Sequence, residues 1–170
     1  MKKETNVQKL ALAALFIAFA VVGSLFSFPV FASRCAPVQH LVNILCAVVL
    51  GPQYGVFCAF ASSLIRNLLG LGTPMAFTSM IGALLCGLTF WKSRSVTLTL
   101  IAEVIGSGIL GGLCAYPVSI FIMGKEAGAV AFYAYVVPFL ISTIGGAILA
   151  GVLITALRKT GIIRIDSKKK

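Results

Sequence analysis

Acidic side chains are almost absent from this sequence of 170 residues, which contains four of them against 14 Lys and Arg. The four are Glu4, Glu103, Glu126 and Asp166, and no two of them lie close together in the chain. An ion-coupled membrane carrier needs acids within its spans to load and release a proton or cation, and many hydrolytic enzymes need a pair of carboxylates. The shortage of acids therefore disfavours both an ion-coupled carrier and a membrane enzyme.

Nucleotide-binding and metal-binding motifs are also missing. The sequence contains no G-x-x-x-x-G-K-[ST] loop, no H-E-x-x-H and no G-x-S-x-G. His40 is the only histidine, and the five cysteines contain no C-x-x-C pair. We therefore predict no metal site, no cofactor, no disulfide framework and no ATP hydrolysis by this chain alone. The cysteines are interpreted as small residues of helix packing.

Apolar residues, by contrast, are abundant: 59% of the chain is hydrophobic, 11% is charged, and the mean hydropathy is +1.06. This composition predicts an all-α integral membrane protein with one domain over residues 1–170. A helix needs roughly 20 residues to cross the hydrocarbon core. On that basis we predict a bundle of six transmembrane helices at about 9–31, 37–51, 53–69, 75–91, 96–123 and 129–157, followed by a basic tail at 158–170. Pro117 predicts a kink or an end to regular helix near the end of the fifth.

Basic residues give the orientation of the predicted bundle. If six helices alternate in direction, 11 of the 14 Lys and Arg lie on one side, and Arg34, Arg66 and Lys125 lie on the other. This bias predicts that both termini are cytoplasmic. It also explains the net charge of +10 without nucleic acid as a partner, because the basic residues flank the predicted spans. The first apolar run is longer than a signal-peptide core, so we interpret it as a span.

Gln39, His40 and Asn43 form a polar cluster inside an apolar segment. Residues three or four apart share one face of a helix, so Asn43 lies beside both Gln39 and His40. Polar groups within a membrane are costly and are by default candidates for function. The cluster offers hydrogen-bond donors and acceptors, which is the chemistry needed to bind a small polar molecule.

Further ionisable or polar residues lie within or at the ends of the predicted spans. Arg34, Arg66 and Asn67 fall on the outer side, where the arginines either extend to lipid headgroups or contribute to a site. Glu103 lies about two helical turns into the fifth span, roughly 10 Å deep. It either reaches cytoplasmic water, pairs with a basic residue or belongs to a site.

Two tyrosines and a row of alanines complete the set of candidates. Tyr116 and Tyr133 are expected near the outer face, as interfacial aromatics or as rings that stack on a flat ligand. Ala11, Ala14 and Ala18 recur at spacings of three and four and form a smooth stripe on the first helix. Small residues let helix backbones approach closely, so the stripe faces another helix of this chain or a partner subunit.

Four blocks of sequence carry a resemblance to a known family. They are ALFIA from Ala14 to Ala18, PVQHLVN from Pro37 to Asn43, IRNLLGLGT from Ile65 to Thr73 and EVIGSGILGGLCAYP from Glu103 to Pro117. With these blocks the chain resembles, over essentially its whole length, the ThiW family of substrate-binding S components of energy-coupling factor (ECF) transporters. The alanine block is shared by many S components, whereas the other three are specific to the family.

The resemblance implies a function in the uptake of a thiamine precursor. Similar proteins are six-helix bundles of the bacterial cell membrane that bind a vitamin or precursor near the outer face. They associate with a transmembrane coupling subunit and two cytoplasmic ATPase subunits, and are not enzymes. It implies hydroxyethylthiazole as substrate and Ala14 and Ala18 as the surface for the coupling subunit. Binding of this ring would use the candidate residues Gln39, His40, Asn43, Arg66, Asn67, Glu103, Tyr116 and Tyr133.

Some alternatives remain open at this point. A phosphate ester of the thiazole would give Arg34 and Arg66 a direct role, because guanidinium groups bind phosphate. A stand-alone secondary carrier for a vitamin-like solute would need an ion gradient in place of ATPase subunits. A membrane enzyme or an assembly factor is the third possibility, and surrounding membrane lipids are partners in every case.

Overall fold

A computed structural model describes residues 6–30, 33–129 and 131–161 of the chain. Helices dominate the described residues, and two short antiparallel strands join the first two helices. The α-helices are α1 (Asn6–Gly23), α2 (Pro37–Val49), α3 (Pro52–Leu68), α4 (Ser79–Ser93), α5 (Val96–Glu103), α6 (Gly112–Phe121) and α7 (Val136–Lys159). The strands are β1 (Phe28–Val30) and β2 (Ser33–Cys35), and a π-helical segment, Val104–Gly111, connects α5 with α6.

Local sequence explains where these helices begin and end. Proline occupies the first position of both α2 and α3, where its missing N–H costs no hydrogen bond. Gly51 has a φ of +91° and makes the tight turn between the two helices. Ser95 caps α5 by accepting a hydrogen bond from the N–H of Leu98. The α2–α3 and α4–α5 turns therefore fall where the sequence predicts breaks.

Two predicted helix boundaries differ from the structure. The first predicted span, 9–31, covers most of α1, a single 3₁₀ turn and β1, and residue 31 lies outside the described residues. The last predicted span starts at 129, whereas α7 starts at Val136. Gly124 and Gly128 have positive φ values, so the preceding segment is a series of turns. Hydropathy alone does not register those turns, because their side chains are still mostly apolar.

The fifth predicted span is one continuous helical stretch made of α5, the π-helical segment and α6. Pro117 lies inside α6, which continues to Phe121 before it ends. Glycines 106, 108 and 111 lie in the π-helical segment. Segments of this kind are frequent at functional sites.

Within the part of the chain that the structure describes, four helical stretches are long and apolar enough to cross a membrane: Asn6–Phe26, Pro74–Ser93, Val96–Phe121 and Val136–Lys159. The first of the four has only 22% of its apolar window buried inside the protein, against 44% for each of the others. Pro37–Val49 is a shorter apolar helix. The chain is therefore a helical protein with several candidate membrane spans, and α1 lies at the edge of the bundle.

Helix α2 lies at the centre of the bundle, in contact with α1, α3, α4, α5 and α7. Its contact with α7 depends on Gly146, where an added Cβ would stand 2.6 Å from Cβ of His40 and 2.5 Å from the carbonyl oxygen of Pro37. Helix α4 similarly meets the π-helical segment at Gly82, where a Cβ would stand 2.0 Å from Oγ of Ser107. Small residues thus allow the polar side chains of several helices to converge in the interior.

Candidate functional site

A pocket opens at the end of the bundle where β2, the start of α2, the end of α3 and the start of α7 come together. This end, reached by residues 33–36, 70–76 and 138–142, is called the pocket end. The pocket is lined by Ser33, Arg34, Ala36, Gln39, His40, Arg66, Gly72, Thr73, Met75, Ala76, Ser79, Phe139 and Ser142. These residues come from segments distant in sequence, so tertiary packing creates the pocket.

Gln39 links the wall of the pocket to two neighbouring segments. Its amide oxygen accepts a hydrogen bond from Nη1 of Arg66, and its Nε2 donates to Oγ of Ser79 at 2.7 Å and to Oγ of Ser63 at 3.1 Å. Gln39 is 3% exposed. Because both ends of the amide are hydrogen-bonded, its orientation is fixed, and so is the position of Arg66.

Arg66 is a buried cation on the pocket wall. The segment after α3 folds back over it: the N–H of Leu71 bonds to the carbonyl oxygen of Arg66 at 2.8 Å, and Gly70 has a φ of +69°. A Cβ on Gly72 would stand 3.4 Å from Cβ of Arg66. Glycine at 70 permits the left-handed turn that brings Gly72 and Thr73 beside the guanidinium. The side chain is 3% exposed, and its Nε has no hydrogen-bond partner among the described residues.

Behind the pocket wall, Glu103 collects three hydrogen bonds on one carboxylate oxygen. Its Oε1 lies 2.8 Å from Nδ1 of His40, and it accepts bonds of 2.9 Å from Nδ2 of Asn43 and from Oγ of Ser107. Glu103 is fully buried, and its Oε2 has no partner within the described part of the chain. Of the interpretations of Glu103 from sequence, pairing with a basic residue is the one that this geometry matches, through His40.

The eight predicted substrate-binding residues occupy three different environments. Gln39, His40 and Arg66 line the pocket, and Asn43 and Glu103 lie directly behind it. Asn67 is turned along its own helix, where Nδ2 donates to the carbonyl oxygen of Ser63 at 2.7 Å. The two tyrosines are outside the set of residues that line the pocket. A role for each of the eight remains a prediction.

Neither predicted aromatic ring lines the pocket, although Tyr116 packs against the cluster that contains the pocket residues Met75 and Phe139. Tyr133 is 59% exposed and packs edge-on against Phe132. The hydroxyl of Tyr116 accepts a hydrogen bond from the N–H of Gly128 at 3.4 Å. The aromatic ring on the pocket wall is that of Phe139, which packs in one cluster with buried Met75 and Tyr135.

Several serines of the site were not singled out from sequence. Ser63 precedes Arg66 by three residues, and Ser107 follows Glu103 by four, so each lies on the same helical face as a predicted residue. That spacing is a signal which could have found both. Phe139 carried no such signal, because the apolar sequence of α7 does not show which ring faces the pocket.

The arrangement suits binding of a small molecule that carries both an apolar face and polar groups. The wall presents neutral hydrogen-bonding groups, two guanidinium groups and one aromatic ring. The volume of the cavity is only about 40 Å³, although all the empty space in and around it, including the open mouth, amounts to about 440 Å³. A planar ring with a side chain therefore needs small movements of the wall in order to enter.

The alanine stripe of α1, unlike the pocket residues of α2, lies on the surface of the bundle. Ala11, Ala14 and Ala18 are exposed, whereas the face of α1 that packs on the bundle presents Ala13 and Ala20. No other described helix of this chain covers the stripe.

Comparison with known proteins assigns the family. A family model described as "Thiamine-precursor transporter protein (ThiW)" matches residues 10–160, which is most of the chain. Comparison with curated proteins gives no match. The chain belongs to the ThiW family, and with its apolar helices it is a multi-pass membrane protein of thiamine-precursor transport.

Proposed function

We propose that this ThiW-family chain is the substrate-binding subunit of an ECF-type importer in the bacterial cell membrane. It would bind a thiamine precursor containing the hydroxyethylthiazole group at the pocket end and release it inward. In this proposal α2 and α3 also lie within the membrane, which makes six spans with both termini in the cytoplasm. In this proposal the chain binds and releases its substrate without changing it chemically.

The pocket is the observation that carries this proposal. Gln39, His40 and Arg66 present polar atoms to one space, and Phe139 supplies an aromatic face beside them. A thiazole ring needs stacking for its face and a few hydrogen bonds for its nitrogen and side chain. Asn43 and Glu103 contribute by holding His40 in place. Arg34 and Arg66 are two of the three cations that the charge bias assigns to the outer side, which supports an outward-facing mouth.

The exposed alanine stripe supports a partner within the membrane. Energy must come from elsewhere, because the sequence has no ATP-binding loop. A transmembrane coupling subunit that contacts Ala14 and Ala18 would connect this chain to two cytoplasmic ATPases. Small side chains suit such a contact, since they allow close approach of two helices without interlocking.

Uptake in proteoliposomes tests the proposal. The full chain, reconstituted with the coupling subunit and ATPases, should accumulate labelled thiazole precursor only when ATP is present on the ATPase side. Purified chain alone should bind the precursor without accumulating it. Accumulation by the chain alone would instead establish a stand-alone carrier.

One observation favours that second candidate. The buried pair His40 and Glu103 lies directly behind the pocket and contains two titratable groups. Such a pair could carry a proton across the membrane. If a pH gradient drives uptake by the chain alone, and Glu103→Gln abolishes it, the secondary carrier is correct.

A further inference from the structure

We propose that the pocket takes its substrate as an oxyanion, namely the phosphate monoester of the thiazole alcohol, with Arg66 as the main anion-binding residue. Arg34 assists from the mouth of the pocket. This inference rests on the proposed function, because it concerns the substrate of the same site.

The first observation is that the charge of Arg66 has no counter-charge in the described structure. Among residues 6–30, 33–129 and 131–161, no carboxylate oxygen lies within 4 Å of the guanidinium of Arg66, and the carboxylate of Glu103 contacts His40 instead. Arg66 bonds to the neutral amide of Gln39, and its Nε is buried without a partner. A guanidinium removed from water and left uncompensated is costly, so a bound anion would relieve that cost.

The second observation is the sign of the pocket wall. Arg34 and Arg66 both line the pocket, so two positive charges share one wall. The wall contains no carboxylate, although it contains both arginines. The described residues include only two acids, and the nearer one, Glu103, already pairs with His40 behind the wall. A neutral alcohol would leave this concentration of positive charge unbalanced, whereas a phosphate would neutralise it.

The third observation is the geometry of the donors. Guanidinium groups bind phosphate through parallel hydrogen bonds, and Arg66 is held in place by Gln39 and by the Gly70–Thr73 turn. Hydroxyls of Thr73 and Ser142 also lie on the wall and can donate to phosphate oxygens. Phe139 lies on the same wall, where it can face the ring of the same ligand. The pocket therefore combines an anion site with an apolar surface.

Calorimetric titration of the purified full chain in lipid nanodiscs tests the inference. The ligands are hydroxyethylthiazole, its phosphate monoester and a thiazole carboxylate of similar size. In the wild type we expect the ester to bind at least about tenfold more tightly than the alcohol, equivalent to about 1.4 kcal/mol. Arg66→Gln should weaken ester binding by roughly 10-fold to 100-fold, as expected for loss of a charged hydrogen-bond donor, and should weaken alcohol binding by a clearly smaller factor.

Three variants serve as controls. Arg34→Gln should weaken ester binding less than Arg66→Gln, because Arg34 is exposed at the mouth. Arg66→Lys keeps the charge without the paired donors and should retain part of the preference for the ester. Arg94→Gln removes a cation from the α4–α5 turn, outside the pocket wall, and should change neither affinity.

Equal or tighter binding of the alcohol in the wild type would overturn the inference and leave the proposed function standing. An equal loss of alcohol and ester binding in Arg66→Gln would also overturn it, since Arg66 would then support the fold of the pocket. Tighter binding of the carboxylate would overturn the assignment of phosphate. Binding of none of the three by correctly folded wild type would overturn the proposed function itself.

Discussion

Helices α1 and α2 are both apolar, yet the bundle uses them in opposite ways. Helix α2 has nine buried residues among 13, and these include Gln39, His40 and Asn43. Helix α1 has three buried residues among 18, and its alanine stripe is exposed. Polar side chains are thus enclosed on the central helix, whereas small apolar side chains are displayed on the peripheral one.

The difference follows from what each helix must contact. A polar group that faces lipid would lack hydrogen-bond partners, so Gln39 and Asn43 require protein on every side. An alanine stripe loses nothing by facing lipid or a partner helix. In the proposed function, α2 therefore recognises the small molecule and α1 recognises the protein partner.

The largest effect is expected from bulky residues on the alanine stripe. Ala14→Trp and Ala18→Trp should abolish ATP-dependent uptake, because an indole keeps the partner helix from approaching closely. Substrate binding by the purified chain should not change. Uptake in proteoliposomes and calorimetric binding measure the two properties separately. Phe19→Trp, at an exposed position of α1 that already carries a bulky side chain, is the matched control and should leave uptake unchanged. If uptake persists in both alanine variants, the alanine stripe is not the surface that contacts the coupling subunit.

A change behind the pocket should affect both stability and binding. Asn43→Leu deprives Glu103 of one of its three donors and should lower the free energy of unfolding by about 1–3 kcal/mol. It should also weaken substrate binding, because His40 would lose its support. Asn67→Leu is the control, since that amide bonds only to Ser63 within the same helix and is half-exposed. Thermal unfolding in detergent should rank the two variants clearly, and equal losses would contradict the supporting role of Asn43.

The contact between α2 and α7 can be tested with neighbouring glycines. Gly146→Ala would push against His40 and Pro37 and should cost about 1–3 kcal/mol of stability, as other overpacked sites do. At Gly145 an added Cβ would meet only Pro37, at 3.6 Å, so Gly145→Ala should be nearly neutral. Chemical or thermal unfolding would measure the difference. If Gly146→Ala leaves the stability unchanged, then α2 packs less tightly against α7 than its contacts indicate.

The smallest effect concerns the aromatic side of the pocket. Phe139→Ala should weaken binding by roughly 2-fold to 13-fold, which corresponds to loss of 0.5–1.5 kcal/mol of ring contact. Tyr133→Ala should leave affinity within about twofold, because Tyr133 is exposed and away from the pocket. The reverse ranking would place the ligand outside the pocket described here.

Periodicity and hydropathy locate most helices but do not show how they meet. They place α2, α3 and the fifth stretch within a few residues of their observed bounds, and the spacing of 39, 40 and 43 puts these side chains on one face. They do not show that His40 meets Glu103, because that contact joins residues 63 positions apart. The tyrosines are a second example: both looked suitable as rings near the outer end, yet the ring on the pocket wall is Phe139 of α7.

The structure also changes how a leucine double variant at His40 and Asn43 would be interpreted. From the sequence alone the two side chains are direct ligand contacts, so their loss should affect binding only. In the structure both bond to the buried carboxylate of Glu103, so the double variant would also leave that carboxylate with Ser107 alone of its three partners.

By itself, the sequence determined that the chain is a helical membrane protein with few acids, a polar cluster on its second helix and an alanine stripe on its first. Those properties are local: they depend on composition and on the period of the helix. Only the tertiary structure decided that Arg66 is buried beneath the turn after α3, that Glu103 holds His40 and Asn43, and that Phe139 faces the pocket. Such contacts depend on how closely helices approach, and that distance is set by single glycines whose neighbours are remote in the chain.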